Sequence, residues 1–133
     1  MAFAPDGAEI EIWGDGQQTR TFMFVDDCVE GLMRIMASNY HDALNLGTDE
    51  LVTIDQLVNL VSEVAGKQLT KRHNLKGPQG VRGRNSDNSL LRKVLGWEPS
   101  ILLRQGLALT YPWIQQELKA ANRIIDLEQV PVG

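Results

Sequence analysis

The stretch Gly77-Pro78-Gln79-Gly80-Val81-Arg82-Gly83-Arg84-Asn85-Ser86-Asp87 combines a glycine-rich backbone with two arginines. Guanidinium groups beside accessible backbone N–H groups suit a phosphate or pyrophosphate, because the planar fork can donate to two oxygens at once. The residues before this loop strengthen the reading. Between Val64 and Ser86 the chain has no Asp or Glu, yet it holds Lys67, Lys71, Arg72, His73, Lys76, Arg82 and Arg84. A chain of net charge −4 that gathers its cations on one segment is expected to present them to an anion. Any one lysine of the set reads as a solvated surface charge. The arginines flanking Gly83 carry the anion-binding expectation.

Gly77, Gly80 and Gly83 also satisfy G-x-x-G-x-x-G, a spacing used to bind dinucleotides. That reading is rejected on two grounds. The first strand of such a unit is buried on both faces and rich in Val, Ile and Leu, whereas Lys67-Gln68-Leu69-Thr70-Lys71-Arg72-His73 is basic and polar. The helix pattern also begins beyond the last glycine, so its N-terminus cannot face a pyrophosphate held by the first two. No cofactor-binding residue is therefore assigned. Other chemistry is thinly represented. Cys28 is the single cysteine, which excludes an internal disulfide and gives no metal-ligand spacing with His41 or His73. The acidic balance argues against nucleic acid as the main partner. No apolar run approaches the roughly 18 residues that cross a bilayer. No secretory signal is visible at Met1-Ala2-Phe3-Ala4-Pro5-Asp6, and a cytoplasmic setting is the expectation.

The elements that must position the loop can be read from periodicity. With 133 residues, 43% hydrophobic and 23% charged, the chain has the composition of one ordinary globular domain. Ala8 to Trp13 alternates acidic and apolar residues, a strand with one wet face, and Gly14-Asp15-Gly16 breaks it. Thr19 to Val25 alternates again, which suggests a hairpin joined by Gly14 to Gln18. Asp26 or Asp27 is expected to cap a helix carrying Val29, Leu32, Met33 and Met36 up to Ser38, with Gly31 inside it as a point of close packing. Ala43 to Gly47 reads as a short buried strand. Thr53-Ile54-Asp55-Gln56 has the pattern of a capping box, opening a helix with Leu57, Leu60, Val61 and Val64 on one face and Gly66 at its end. Lys67 to Asn74 is a weak basic strand. Ser86-Asp87 should cap a helix through Leu90, Leu91, Val94 and Leu95, ended by Gly96, with a turn at Glu98 to Ser100. A last helix from Ile101 or Leu102 to about Leu118 presents Leu103, Leu107, Thr110 or Tyr111, Ile114 and Leu118. Pro112 falls within it. A tail follows from Lys119 to Gly133.

Several strings together resemble the extended short-chain dehydrogenase family, the NAD-dependent sugar-nucleotide epimerases and dehydratases. They are Trp13-Gly14-Asp15-Gly16 followed by Arg20-Thr21-Phe22, Val25-Asp26-Asp27, Leu44-Asn45-Leu46-Gly47, the Arg82 to Asp87 loop, Leu95-Gly96-Trp97-Glu98-Pro99, and Gln105-Gly106-Leu107. Within the family the strings Trp13 to Arg20 and Gly80 to Asn88 are most similar to the GDP-mannose 3,5-epimerases. The resemblance runs from about Glu9 to Glu117. It implies an α/β fold, the C-terminal portion of a Rossmann-like extended short-chain dehydrogenase. The part implied is the substrate-binding one, over residues 1–118, without the dinucleotide-binding half that would hold NAD.

The resemblance also implies where the substrate binds. Arg20 and an arginine of the Arg82 region would approach the nucleotide diphosphate, with Gln17, Gln18 and Thr19 lining the same pocket. Two alternatives stay open on the residues themselves. Arg20 could instead pair with Asp26 or Asp15 as a strand residue, and Arg84 is either a second phosphate ligand or a partner of Asp87. Cys28 does not match the family's catalytic cysteine, and no catalytic residue is assigned. Tyr40 is followed four residues on by Leu44 and Tyr111 by Gln115, so neither belongs to the family's Tyr-x-x-x-Lys pair. The chain therefore reads as a part that is inactive alone, with an exposed apolar patch where the last helix and the Leu44 to Gly47 strand would meet a missing half, and a homodimer when full length. UDP- or dTDP-sugar enzymes are the alternative within the family. A non-catalytic anion-binding or dimerisation module is the alternative outside it.

Overall fold

The computed structural model describes residues 1–2 and 4–120. Strand β1 (Glu9–Trp13) lies parallel to β4 (Thr70–Asn74), in a register that sets Glu11 opposite Arg72 and Ile12 opposite His73. Strand β2 (Thr19–Arg20) pairs antiparallel with β3 (Val52–Thr53). The expected hairpin between the first two strands is therefore not formed. The turn after Trp13 carries the chain from one two-stranded sheet into the other. Among the described residues, only Thr19 and Arg20 of the expected Thr19 to Val25 strand find a ladder partner, and Val25 already opens helix α1 (Val25–Ala37).

Helix α1 corrects the sequence reading in two ways. Phe24 occupies its N-cap without a side-chain hydrogen bond. Asp27 is instead buried, and its Oδ2 accepts from the backbone N–H groups of Ser100 (2.8 Å) and Ile101 (2.7 Å), ahead of the last helix. The inward face is that of Asp27 and Gly31, not the apolar stripe. A side-chain carbon at position 31 would lie 2.5 Å from Leu46 Cδ1 and 3.0 Å from Trp97, so the glycine permits the expected close packing. Val29, Leu32, Met33 and Met36 are exposed, Met36 at 80%. Exposed apolar side chains thus gather on α1 rather than on the Leu44 to Gly47 segment, whose Leu44 and Leu46 are half-buried, while Leu109 and Trp113 expose apolar surface on the last helix.

Helix α2 (Ile54–Ala65) follows its sequence signals closely. The Thr53 side chain accepts from Gln56 N at 3.0 Å while Thr53 N donates to Gln56 Oε1 at 2.7 Å, and Gly66 ends the helix at φ 63°. Losing the Thr53 hydroxyl would cost about 1 kcal/mol. Its buried residues are Val58 and Val61; Val58 was not on the expected face. The Ala43 to Gly47 segment, expected as a strand, forms no ladder among the described residues, and Gly47 lies at a bend. It is held instead by Asn88, whose Nδ2 donates to Gly47 O at 2.8 Å. Asn88 takes the N-cap position of α3 (Ser89–Leu95), and the expected cap Asp87 contributes by accepting from Ser89 N at 2.9 Å.

Helix α4 (Leu103–Ala120) passes through Pro112 and packs on α2. Its buried positions are Leu103, Gly106 and Tyr111. The buried apolar residues Ile12, Val52, Val58, Val61, Leu91, Leu103 and Tyr111 come from both sheets and from α2, α3 and α4. Leu91 is fully buried, and truncating it to alanine would cost about 2–5 kcal/mol. Lys119 and Ala120 continue α4; residues 121–133, the rest of the expected tail, lie outside the described residues.

Candidate anion-binding site

The turn from Gly14 to Gln18 is fixed at three backbone points. Gly14 N donates to Asn74 O (2.9 Å), Asp55 N to Gly16 O (3.0 Å) and Ile54 N to Gln18 O (3.1 Å). It is thus threaded between the end of β4 and the start of α2. Gly14 and Gly16 adopt φ 90° and 73°, which side-chain-bearing residues rarely do. At position 16 space forbids a side chain as well, since a Cβ would lie 2.1 Å from Asp55 Oδ1 and 2.7 Å from His73 Nε2.

The glycine loop from Gly77 to Gly83 folds over this turn and β2. A Cβ at position 77 would lie 2.8 Å from the Trp13 ring, at position 80 it would lie 3.2 Å from Arg20 Nη2, and at position 83 it would lie 2.7 Å from Thr19 Oγ1. The three glycines, spaced by three, therefore let Trp13, Arg20 and Thr19 approach the loop backbone. They do not lead into a helix, because α3 begins six residues after Gly83.

The same fold brings most of the expected site residues together. Thr19 N donates to Arg82 O at 2.9 Å, which ties the loop to β2 beside Arg20. Arg20 Nη1 donates to Thr19 O at 2.7 Å, and among the described residues no carboxylate pairs with it. Arg20 is half-buried at a cavity of about 340 Å³, whose lining includes Ile12, Trp13, Gln18 and Gly80. Gln18 Nε2 donates to Trp13 O at 2.7 Å, while its Oε1 is buried without a partner. Gln17 is exposed, and its N–H donates to Asp15 Oδ1 at 2.9 Å. Arg84 is exposed, and among the described residues it makes neither the Asp87 pair nor any other.

Arg82 differs from expectation. Its charge is opposed by Asp15, both of whose carboxylate oxygens accept from Arg82 Nη1, at 2.9 and 2.8 Å. That contact, followed by the Gln17 N–H, holds the Asp15 carboxyl below its ordinary pKa. The expectation drawn from the Lys67 to His73 charges also changes. Lys67 Nζ donates to Ala4 O at 2.6 Å, and Lys71 Nζ to Asn59 Oδ1 at 2.9 Å. Arg72 bridges Glu9 and Glu11, and His73 Nε2 meets Asp55 Oδ1 at 2.8 Å. These charges are absorbed within the fold. Asp15 is the residue whose partner the sequence reading missed: it was considered only for Arg20, and the structure gives it to Arg82. No group of three or more His, Cys, Asp or Glu side chains among the described residues could hold a metal ion.

Comparison with known proteins identifies the family of the chain. The family model described as GDP-mannose 4,6 dehydratase matches residues 4–110. The chain belongs to that family. It is 45% identical over 109 residues to a GDP-mannose 3,5-epimerase of Arabidopsis thaliana, covering 82% of this chain and 29% of the relative. UDP-glucose 4-epimerase of Thermotoga maritima, solved with UDP-glucose, superposes with a TM-score of 0.72 at 33% identity, over 83% of this chain and 36% of that one. UDP-glucuronic acid 4-epimerase of Bacillus cereus, solved with UDP-glucuronic acid and NAD, gives 0.74 at 28% identity, over 82% and 36%. The chain therefore spans about a third of the length of these relatives. The expected fold class, a partial α/β unit of the extended short-chain dehydrogenases, is borne out. No helix among the described residues is long and apolar enough to cross a membrane.

Proposed function

We propose that residues 1–118 form the nucleotide-diphosphate side of a sugar-nucleotide epimerase site, with GDP-mannose as the substrate. The observation that carries this reading is the Thr19 N–H to Arg82 O bond. It draws two arginines, 62 positions apart in the chain, onto one glycine loop beside a cavity. Arg20 and Arg82 bind the diphosphate, Arg84 adds positive charge at the rim, and Gln17, Gln18 and Thr19 line the pocket. The preference for GDP rests on the 45% identity to the plant epimerase. The two solved structures with UDP-sugars favour uridine as the second reading. NAD, in this proposal, is held by residues other than these 133, and no chemical step is assigned to side chains of this chain. With no Tyr-x-x-x-Lys pair in the sequence, the 133-residue chain alone should not turn over GDP-mannose.

Calorimetric titration of the chain with GDP, UDP and dTDP at fixed salt tests the proposal. GDP should bind saturably and more tightly than the others. Arg82→Ala should weaken it by about 1.5–3 kcal/mol, the range for hydrogen bonds to charged groups. Arg82→Lys should also weaken it clearly, since charge is kept but the fork is lost. GDP affinity unchanged by Arg82→Ala would remove the basis of the assignment.

A further inference from the structure

We propose that Asp15 is a positioning residue for the diphosphate site, holding Arg82 by one nitrogen and leaving its other donors to the ligand. This inference rests on the assignment of Arg82 to that site. Its basis is the geometry of the pair. Both Asp15 oxygens accept from the same nitrogen, Nη1, at 2.9 and 2.8 Å. Nε and Nη2 make no hydrogen bond among the described residues. A guanidinium held in this way still offers a two-point edge to a planar or tetrahedral anion.

Both ends of Arg82 are tethered to one short stretch. Its carbonyl accepts from Thr19 N at 2.9 Å, and its head group rests on Asp15. Asp15 is in turn held by the Gln17 N–H at 2.9 Å, in a turn whose two flanking glycines have positive φ. The pair is exposed, with the Arg82 side chain 67% accessible. An exposed ion pair contributes little to folding, so its consequence lies in the order it gives to a long side chain. An arginine already ordered loses less rotamer freedom when a ligand arrives, which tightens binding without a new contact.

The competing view gives the opposite sign. If Asp15 acted only as a negative charge near a dianion, removing it would strengthen binding. The test is a double-mutant cycle on the 133-residue chain, with GDP as the probe at constant ionic strength. Asp15→Asn should weaken GDP binding about fivefold through lost preorganisation. In an Arg82→Ala background the same change should alter affinity by less than about twofold, because the interaction has been removed already. Asp15→Glu, which keeps the charge, should recover part of the loss. The melting temperature of Asp15→Asn should match that of the parent; if that variant does not fold, the Asp15→Glu pair of measurements carries the cycle. Unchanged or tighter binding by Asp15→Asn overturns the inference, as does equal weakening in both backgrounds. If Arg82→Ala itself leaves GDP binding intact, the diphosphate assignment fails first. Weakening by Arg82→Ala but not by Asp15→Asn overturns the positioning role alone.

Discussion

Strand β4 and the glycine loop after it form one basic stretch in the sequence, but their fates in the fold are opposite. On β4 the cations are spent internally. Arg72 lies between Glu9 and Glu11 of the neighbouring strand, while Lys71 and His73 reach the first turns of α2 at Asn59 and Asp55. At the glycine loop the balance reverses. Arg84 and the adjacent Arg20 have no carboxylate partner among the described residues, and Arg82 is engaged through one nitrogen only. Charge density along a sequence therefore says little about charge offered to a ligand. What decides is whether the facing segment carries carboxylates at matching register. β1 does, with Glu9 and Glu11 on its outer face. The loop backbone faces Trp13, Thr19 and Arg20, and the facing turn supplies a single carboxylate, Asp15, which takes up one nitrogen of Arg82.

The harshest way to break this contrast is to attack the junction shared by both regions. Gly16→Ala should disturb the Asp55–His73 contact of the neutralised region and the turn that carries Asp15. An unfavourable φ and a clash with Asp55 together should cost about 2–4 kcal/mol of stability, read as a fall in the denaturant midpoint with GDP binding lost alongside. A variant as stable as the parent would show that the turn can re-form without the glycine.

A sharper comparison sets one arginine of each region against the other. Arg20→Ala should lower GDP affinity by about 1.5–3 kcal/mol, or roughly tenfold to a hundredfold. Arg72→Ala, which removes a cation already engaged by two glutamates, should change it by no more than about twofold. Equal losses in the two variants would mean that overall positive charge, rather than available donors, governs binding.

The smallest effect concerns pH. Glu11 is held below its ordinary value of 4.5, first by donation from Asn74 Nδ2, then by Arg72 and Trp13. A carboxylate whose pKa is lower in the folded state adds stability that is fully present above its unfolded pKa and is lost as pH falls through the folded one. Amide protection along β1 and β4 should therefore persist from neutral pH to about 4.5 and fade below it. In Glu11→Gln this acid-dependent loss should shrink. Identical acid profiles for the two proteins would place the pH-sensitive contact elsewhere.

The sequence by itself determined the features that depend on neighbours in the chain. The capping box at Thr53 and Gln56, the left-handed stops at Gly66 and Gly96, the strand at Glu9 to Trp13 and the family strings were all legible, because each is set within a few residues. The distance from Gly83 to the helix was legible in the same way, since α3 begins at Ser89. Only the tertiary structure decided partners. Parallel pairing of β1 with β4 joins residues about 60 positions apart, and that pairing, invisible to local periodicity, neutralised β4. Tertiary packing elsewhere gave Asp27 the N–H groups before α4 instead of its own helix, and left the apolar stripe of α1 exposed, opposite the Gly31 contact. The same long-range packing laid Arg82 against Asp15. Local patterns fix what each segment can become, whereas a charge or an apolar face acquires its meaning from whatever distant segment is packed against it.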